Sequence, residues 1–411
     1  MQSITLTGKR TWYENMVLQF LANMHKGSIT ITMPSGEILN LGKGDGVHAD
    51  ITISDKRFFE KCVLFGDVGF GESYTAGYWE TDNVTKVIEW FLLNVDNAPS
   101  ISGSKVKSGI LNLLRFINRL QHIKRKNDME GSRENIAEHY DLNNDFFKLF
   151  LDPSMTYSSA YFEKDGMSLQ EAQIAKYDNL CKDLKLKPGD SVLEIGSGWG
   201  GNAIYMAQKY GCKITTVTIS EEQYKLAKER IEKENLSDKV EVKLMDYRLL
   251  QGQFDKIISI EMLEAVGHEF LDTFFKKCQD LLKPKGVLAF QVITSPDSRY
   301  DSMRKGVDWI QKHVFPGTLL PSVAAINGAI NRTGELTMMN LREMGLHYAK
   351  TLHIWKEKFN ENLNEVKKLG FDEKFIRKWN YYLSYCEAAF AMRNISVMQM
   401  VYTRPNNVDF Q

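Results

Sequence analysis

The sequence predicts an α/β protein: a mostly parallel sheet with helices on both faces, joined to a smaller α+β domain. Three features of the chain support this fold class. Short apolar strands alternate with helical segments after residue 185, a glycine-rich turn joins the first of these strands to a helix, and the first 95 residues carry a separate strand and helix pattern. Alternating strands and helices form parallel sheets, because each helix returns the chain to the same edge.

Length and composition fit a globular protein of two or three domains. The chain has 411 residues, of which 43% are hydrophobic, with 52 Lys and Arg against 52 Asp and Glu. These values exclude a disordered chain and a collagen-like repeat. Zero net charge argues against a protein that coats nucleic acid, so no nucleic-acid partner is expected.

The five cysteines are scattered, with no CxxC pair and no zinc-ligand spacing. We therefore expect no metal site and free thiols, as in a reducing compartment. The first 16 residues lack the basic and apolar regions of a signal peptide. The longest uncharged run, 313–331, is interrupted by prolines and glycines, which argues against a membrane span. These features predict a cytoplasmic protein.

Residues 1–96 are predicted to form the small N-terminal accessory domain. Residues 28–33 alternate as a strand does, 34–37 carry a turn signal, and a second strand starts at 38. Helical patterns follow near 55–65 and 83–95.

Residues 97–130 are predicted to form a basic helical linker. Apolar residues recur there at helical spacing, and the stretch 105–126 contains no acidic residue. A basic amphipathic helix can lie on an anionic membrane surface, but it can equally be a linker docked on its own protein. The sequence leaves both interpretations open. The seven basic residues are Lys105, Lys107, Arg115, Arg119, Lys124, Arg125 and Lys126.

Residues 131–411 are predicted to form one α/β domain. Helical patterns at 198–210 and 221–234 connect the first strands, and further helical segments at 296–340 and 355–393 interrupt the last ones. A lid over the substrate is expected at 296–340. Strands are expected at 191–196, 213–219, 240–245, 256–260 and 286–293, with a late strand at 397–402 as a possible antiparallel edge.

A glycine-rich loop ends the first strand of this domain and begins the next helix. Its order is Glu194, Gly196, Ser197, Gly198 and Gly200, in the spacing E-x-G-x-G-x-G. Glycine lets the backbone turn sharply and allows a ligand to approach closely. The spacing differs from the dinucleotide pattern, no GKS or GKT is present, and the carboxylate can face a cationic ligand. These features favour S-adenosylmethionine and a class I methyltransferase fold with seven strands.

Two later segments are predicted to contact the same cofactor. An acidic residue normally binds the ribose at the end of the second strand, but Thr218 and Gln223 occupy this region instead, unless Glu221 curls back. After the third strand, three consecutive residues are placed to contact the adenine. They are Asp246, Tyr247 and Arg248.

Ordered motifs along the chain closely resemble those of the cyclopropane fatty acyl phospholipid synthase family. The resemblance covers essentially the whole chain, from the accessory domain at 58–79 onward. Besides the glycine loop, the motifs are EHYDLNNDFF at 138–147, MTYSSAYF at 155–162, VTIS with Gln223 at 217–223, IEMLEAVGHE at 260–269 and VFPGTLLPS at 314–322.

The resemblance implies transfer of one carbon from S-adenosylmethionine to the cis double bond of an acyl chain in an intact phospholipid. A carbocation develops, and a proton must leave the new methyl group to close the ring. In this family the base is a bound bicarbonate. The resemblance also implies a homodimer that associates peripherally with the phospholipid bilayer, at the inner face of the membrane.

The resemblance also assigns the site residues, position by position. The bicarbonate cage has Glu264 as its carboxylate, Tyr348 as its tyrosine and Ile293 as a backbone contact. The family's cysteine and histidine are replaced by Ser159 and Gln291, which keep hydrogen-bonding groups but not a histidine's charge. Tyr157 and Ser158 join the cofactor-binding residues.

Several alternatives stay open at the level of sequence. The two replacements leave room for a methyl-branched or methylene product, and a small-amine N-methyltransferase is a remote possibility. Tyr348 is expected in an alternating strand, where a core role competes with a catalytic one. Glu261 is expected to form a structural polar pair, and His268 a structural contact.

Overall fold

The computed structural model describes residues 10–95, 143–408 and 410. The whole of the basic linker at 97–130 and the first half of the motif at 138–147 lie outside these residues. Within the described ranges, every helix is too short or too polar to cross a membrane. The strands are β1 (Ser28–Thr32), β2 (Ile38–Gly42), β3 (His48–Ile53), β4 (Trp79–Glu80), β5 (Ser191–Ile195), β6 (Lys213–Thr218), β7 (Val240–Leu244), β8 (Phe254–Ile260), β9 (Leu282–Thr294), β10 (Thr337–Glu343) and β11 (Ser396–Thr403).

Several helices begin where the sequence supplies capping side chains. Helix α5 is an example, because the Ser168 hydroxyl accepts the Glu171 N–H at 3.3 Å while the Glu171 carboxylate accepts the Ser168 N–H at 2.8 Å. The helices are α1 (Trp12–Leu21), α2 (Arg57–Thr75), α3 (Val84–Leu93), α4 (Asn144–Lys148), α5 (Leu169–Asp183), α6 (Gly201–Tyr210), α7 (Glu221–Lys233), α8 (Leu271–Leu281), α9 (Asp297–Met303), α10 (Trp309–His313), α11 (Val323–Thr333), α12 (Gly345–Glu361), α13 (Leu363–Lys368) and α14 (Glu373–Ala391). Short 3₁₀ turns lie at Tyr247–Leu249, Leu263–Ala265 and His268–Phe270.

The chain divides into two compact units whose boundaries are not contiguous in sequence. The first unit combines the N-terminal region with 305–316 and 363–394, and the second contains the rest. The predicted domains at 1–96, 97–130 and 131–411 were continuous, so the structure differs from them. Part of the expected lid at 296–340 therefore belongs to the first unit.

Helix α14 supplies a physical reason why 363–394 clusters with the first unit. The Arg377 guanidinium donates to the Glu80 carboxylate at 2.8 Å and to the carbonyls of Tyr74 and Trp79 at 2.7 and 3.0 Å. Its carbon Cζ also lies 4.2 Å from the Tyr74 ring centre. In the same unit, β1 pairs with β2 antiparallel and with β3 parallel, and the sheet order is β2-β1-β3-β4.

The second unit contains a seven-stranded sheet in the order β10-β11-β9-β8-β5-β6-β7. The pairs from β9 through β7 are parallel, and β11 is antiparallel to both β9 and β10. Alternate strand residues enter opposite cores: Leu193 packs with Phe274, while Val192 packs with Met206. The predicted fold class, a mostly parallel α/β sheet with helices, is confirmed.

Two elements near the C-terminus differ from the sequence prediction. The late strand β11 is internal rather than an edge, because β10 pairs outside it. β10 begins within the segment 296–340, which was expected to be helical. β10 has five exposed positions of seven, so its sequence lacks a clear buried face. Tyr348 lies in helix α12 rather than in a strand, and it is buried with Thr351, Leu352 and Trp355 at helical spacing.

Candidate functional site

The glycine loop leaves β5 in a conformation that requires glycine. Gly196, Gly198 and Gly200 have φ of 95°, 47° and 84°. The N–H of Gly196 donates to the Val217 carbonyl of β6 at 3.0 Å, which holds the loop against the sheet. A Cβ on Gly198 would meet nothing within 4 Å, whereas one on Gly196 would lie 3.2 Å from Met262. The loop thus leaves open space beside the backbone, which fits the approach of S-adenosylmethionine.

Glu194 binds the protein on both of its carboxylate oxygens. Oε1 accepts from the Asn202 amide at 2.7 Å, and Oε2 accepts from the Thr216 hydroxyl at 2.6 Å. Burial raises the pKa of Glu194 to about 7, against these two hydrogen bonds. The side chain therefore ties β5, β6 and α6 together, and its direct contact with a cationic ligand stays a prediction.

The two polar residues expected at the end of β6 lie together. The Thr218 hydroxyl donates to the Gln223 side-chain oxygen at 2.9 Å and accepts the Ser220 N–H at 3.1 Å. Glu221 has a side chain that is 73% exposed and lies 3.8 Å from Lys225, so it does not curl back. Thr218 and Gln223 are the residues placed to supply polar contacts at this strand end.

Asp246 and Arg248 form a tight pair after β7. Asp246 accepts from the Arg248 N–H and Nε at 2.9 Å each, and from Nη2 at 2.7 Å. The Tyr247 ring packs edge-on against Phe274 at 5.3 Å, and burial raises the pKa of its hydroxyl. The structure keeps the predicted adenine-contacting residues adjacent at the carboxyl edge of the sheet.

Tyr157 and Ser158 are buried against other parts of the second unit. The Tyr157 ring lies 5.3 Å from Phe147 and 5.2 Å from Trp355. The Ser158 hydroxyl accepts from the Lys176 ammonium at 2.7 Å. Lys176 is fully buried, and burial lowers its pKa. Sequence reasoning missed this lysine, because its position on α5 gives no sign of burial.

Glu264 lies in the 3₁₀ turn after β8 with one oxygen bonded and one not. Oε1 accepts the Ile293 N–H at 2.5 Å, while Oε2 is buried without a hydrogen-bond partner. Burial and then the negative charge of Glu261 raise the pKa of Glu264 to about 8. The surroundings of Glu264 therefore favour its protonated form.

The Glu261 carboxylate accepts hydrogen bonds from the groups that the sequence analysis assigned to a bound bicarbonate. Its Oε1 accepts the Ser159 N–H at 2.9 Å and the Gln291 amide at 2.7 Å, and its carboxylate is hydrogen-bonded to Tyr348. The Gln291 oxygen accepts from Gln399 at 3.0 Å, which orients the amide. The structure thus brings Ser159, Gln291 and Tyr348 together, but around Glu261.

This arrangement does not fit bicarbonate. The Ser159, Gln291 and Tyr348 donors are already bonded to a carboxylate of the chain. A further anion would also lie beside the Glu261 carboxylate, which repels it. Glu261 was expected to be only a structural polar residue. Its one sequence signal was its place at the carboxyl end of a parallel strand, where α/β proteins bind ligands.

Comparisons with known proteins place these residues in context. Residues 127–400 match the family model described as mycolic acid cyclopropane synthetase. The chain is 38% identical over 363 residues to the cyclopropane-fatty-acyl-phospholipid synthase of Escherichia coli (strain K12), covering 87% of this chain and 88% of the relative. It is 38% identical over 347 residues to tuberculostearic acid methyltransferase UfaA1 of Mycobacterium tuberculosis, covering 82% and 79%.

A solved structure agrees with this similarity. The crystal structure of mycolic acid cyclopropane synthase CmaA1 complexed with SAH and CTAB has a TM-score of 0.61 and 32% sequence identity. It covers 66% of this chain and 98% of its own.

Proposed function

Because the chain belongs to the mycolic acid cyclopropane synthetase family of S-adenosylmethionine-dependent methyltransferases, we propose that it converts unsaturated phospholipids to cyclopropane products. The reaction adds a methylene group across the cis double bond of an acyl chain. The observation that carries the proposal is the place of the open glycine loop, where a Cβ on Gly196 would lie 3.2 Å from Met262. Met262 lies in sequence between the half-buried Glu261 and the buried Glu264. Cofactor loop and acid–base groups thus meet at one sheet edge.

The residues that would hold S-adenosylmethionine follow the carboxyl ends of β5, β6 and β7. They are the glycine loop, the Thr218–Gln223 pair and the Asp246–Arg248 pair. When bound, this cofactor supplies an electrophilic methyl group. An alkene is a poor nucleophile, so the protein contributes mainly by holding the acyl chain in place and excluding water.

The part of the expected lid that belongs to the second unit begins at residue 317. It is hydrogen-bonded to Glu264 and to the end of β9. The Leu319 N–H donates to the Glu264 carbonyl at 2.9 Å, and the Ser295 N–H donates to the Pro321 carbonyl at 3.0 Å. The Ser295 hydroxyl also donates to the Leu320 carbonyl at 3.2 Å. We propose that residues 317–322 shield the developing positive charge from water.

Product analysis tests the function. Purified protein, labelled S-adenosylmethionine and vesicles of a defined monounsaturated phospholipid are incubated, and the acyl chains are analysed by mass spectrometry. We expect each modified chain to gain one CH₂ unit, to lose its double bond and to carry no methyl branch. Absence of label from the lipid would contradict the proposal.

A methyl-branched or methylene product is the second candidate. Its support is the 38% identity to the tuberculostearic acid methyltransferase and the presence of Ser159 and Gln291 in the site. Proton NMR of the same product separates the two, because a cyclopropane ring, a methyl branch and a methylene group give different proton resonances. The remote small-amine N-methyltransferase alternative would need lipid-independent turnover of an amine.

We propose that the protein is a homodimer, which sedimentation would test. We also propose that it binds peripherally to an anionic bilayer. We expect replacement of Lys124, Arg125 and Lys126 by Ala to weaken vesicle binding about 100-fold at low salt. Each basic residue near an anionic surface contributes about 1 kcal/mol, and salt screens this attraction.

The control for vesicle binding is a triple variant of α7, in which Lys225, Lys228 and Lys233 become Ala. It removes the same charge from a helix of the methyltransferase sheet, and we expect its vesicle affinity to stay within about twofold. Equal affinity of both triple variants and the unmodified protein would favour the alternative of a docked linker.

A further inference from the structure

We infer that the Glu261 carboxylate is the base that removes the proton during ring closure, so that the chain itself replaces a bound anion. This rests on the proposed function, because a proton acceptor is needed only if a carbocation develops. The inference concerns a residue for which sequence reasoning predicted a structural role.

The first support is the hydrogen bonding of Glu261. The Ser159 N–H, the Gln291 amide and the Tyr348 hydroxyl hold the carboxylate in one orientation. An ionised carboxylate has about four lone-pair sites, so three donors leave about one to accept a proton. Gln399 fixes the Gln291 amide in turn, and Gln291 and Gln399 are both 1% exposed. The carboxylate is thus ordered in advance of the reaction.

The second support is the distribution of charge between the two glutamates. Two carboxylates that interact inside a protein do not both ionise readily, since the charge of each raises the pKa of the other. The charge of Glu261 raises the pKa of Glu264 in this way. Glu261 has three donors and the attraction of the Lys176 ammonium, which oppose the effect of burial. Glu264 has only the Ile293 N–H, and its pKa is raised. Burial raises the pKa of Glu261 as well, but its three donors favour the ionised form there more than the single N–H does at Glu264. We therefore place the negative charge of the pair on Glu261, since a base must be ionised to act.

The third support is the position of Glu261 beside the cofactor loop. It directly precedes Met262, the residue that a Cβ on Gly196 would touch. The Ser259 hydroxyl donates to the Ile195 carbonyl at 2.8 Å, which joins the ends of β8 and β5. The Ser159 N–H that Glu261 accepts follows directly after the predicted cofactor-binding residues Tyr157 and Ser158.

The proposed step balances as follows. A C–H bond breaks in the methyl group that the acyl chain has gained. Its electron pair forms the second carbon–carbon bond of the ring and cancels the positive charge on the chain, while the proton passes to a Glu261 oxygen. Glu261 changes from carboxylate to carboxylic acid and later releases the proton to solvent. The methyl group becomes strongly acidic as its carbon bonds to the cationic carbon, so a weakly basic carboxylate suffices.

The substitution Glu261→Gly provides a sharp test. Glu261 has φ of 48°, in the left-handed region that favours glycine, so Glu261→Gly imposes no backbone strain. It leaves the Ser159, Gln291 and Tyr348 donors facing a space the size of a small carboxylate. We expect product formation to fall about 100-fold or more in bicarbonate-free buffer. Added formate or bicarbonate should restore it at least about tenfold.

Unmodified protein should keep its rate within about twofold when bicarbonate is removed. Glu261→Gln, which keeps the side chain's size, should lose activity without rescue. Glu264→Gln should lose less and should not respond to formate, because an uncharged donor replaces an uncharged acid. S-adenosylmethionine affinity, measured by calorimetry, should stay within about threefold in all three variants.

A readout independent of turnover is the infrared difference spectrum at neutral pH. Subtracting the Glu261→Gln spectrum should remove a carboxylate band, and subtracting the Glu264→Gln spectrum should remove a carboxylic acid band. A protonated Glu261, a bicarbonate requirement of the unmodified protein, or full activity of Glu261→Gly would each overturn the inference. If unmodified protein modifies no lipid while the infrared result holds, the proposed function fails and Glu261 is still the ionised member of the pair.

Discussion

Replacing Gly196 by Val is expected to remove S-adenosylmethionine binding and, with it, turnover. Gly196 has φ of 95°, where a β-branched side chain costs about 1–3 kcal/mol. The new Cβ would lie 3.2 Å from the Met262 Cβ and Cγ, so the loop or Met262 must shift. Met262 lies between Glu261 and Glu264, and its movement would disturb both carboxylates. We expect the cofactor affinity to fall by about 100-fold, or about 2.7 kcal/mol, in calorimetry.

Gly189→Val is the matched control for backbone strain. Gly189 has φ of 85° in the turn before β5, and a Cβ there would meet nothing within 4 Å. The control should lose similar stability in urea but keep its cofactor affinity. If both variants bind S-adenosylmethionine equally, strain alone explains the effect and the glycine loop is not the cofactor site.

The sequence predicted the parallel part of the sheet well because each buried strand there is short, apolar and followed by a turn signal. β5 and β8 have almost continuous burial, which their apolar residues reveal directly. β10 could not be predicted in this way, because its exposed side chains give no hydrophobic period. Its identity as a strand depends on pairing with β11, a contact distant in sequence.

The sequence indicated which residues lie together in the site, but not which of them are hydrogen-bonded to one another. Motif resemblance selected Ser159, Gln291 and Tyr348, and the structure does bring them together. Motif resemblance could not show that these three residues donate to Glu261, because that depends on the positive φ of Glu261 and on side-chain directions. Lys176 was missed for a related reason: a lysine on a polar helix usually faces water, and only tertiary packing buries this one.

Fold and proposed chemistry are connected through this buried lysine. Lys176 donates to Ser158 and is attracted to Glu261, Asp152 and Glu194. A charge in the protein interior is tolerated only when opposite charge or hydrogen bonds compensate it. The lysine therefore allows one carboxylate of the Glu261–Glu264 pair to stay ionised in a region that excludes water.

Replacing Lys176 by Met is accordingly expected to cost about 3 kcal/mol of unfolding free energy and to change the pH dependence of turnover. Methionine fills a similar volume but leaves Glu261 without its positive neighbour. The pKa of Glu261, already raised by burial, rises further when this charge is removed. Because turnover needs ionised Glu261, the acid limb of the rate profile should move to higher pH. Urea unfolding and rates measured across pH would show both effects.

A double variant and a surface control separate charge from packing. Glu261→Gln removes the charge that Lys176 balances, so Lys176→Met should cost less stability in that background, with a coupling of at least about 1 kcal/mol. Lys182→Met, on the same helix, changes a lysine that is 63% exposed and paired with Asp178 at 2.8 Å. It should alter stability by less than about 0.5 kcal/mol. An unchanged rate profile in Lys176→Met would show that another group balances the charge on Glu261.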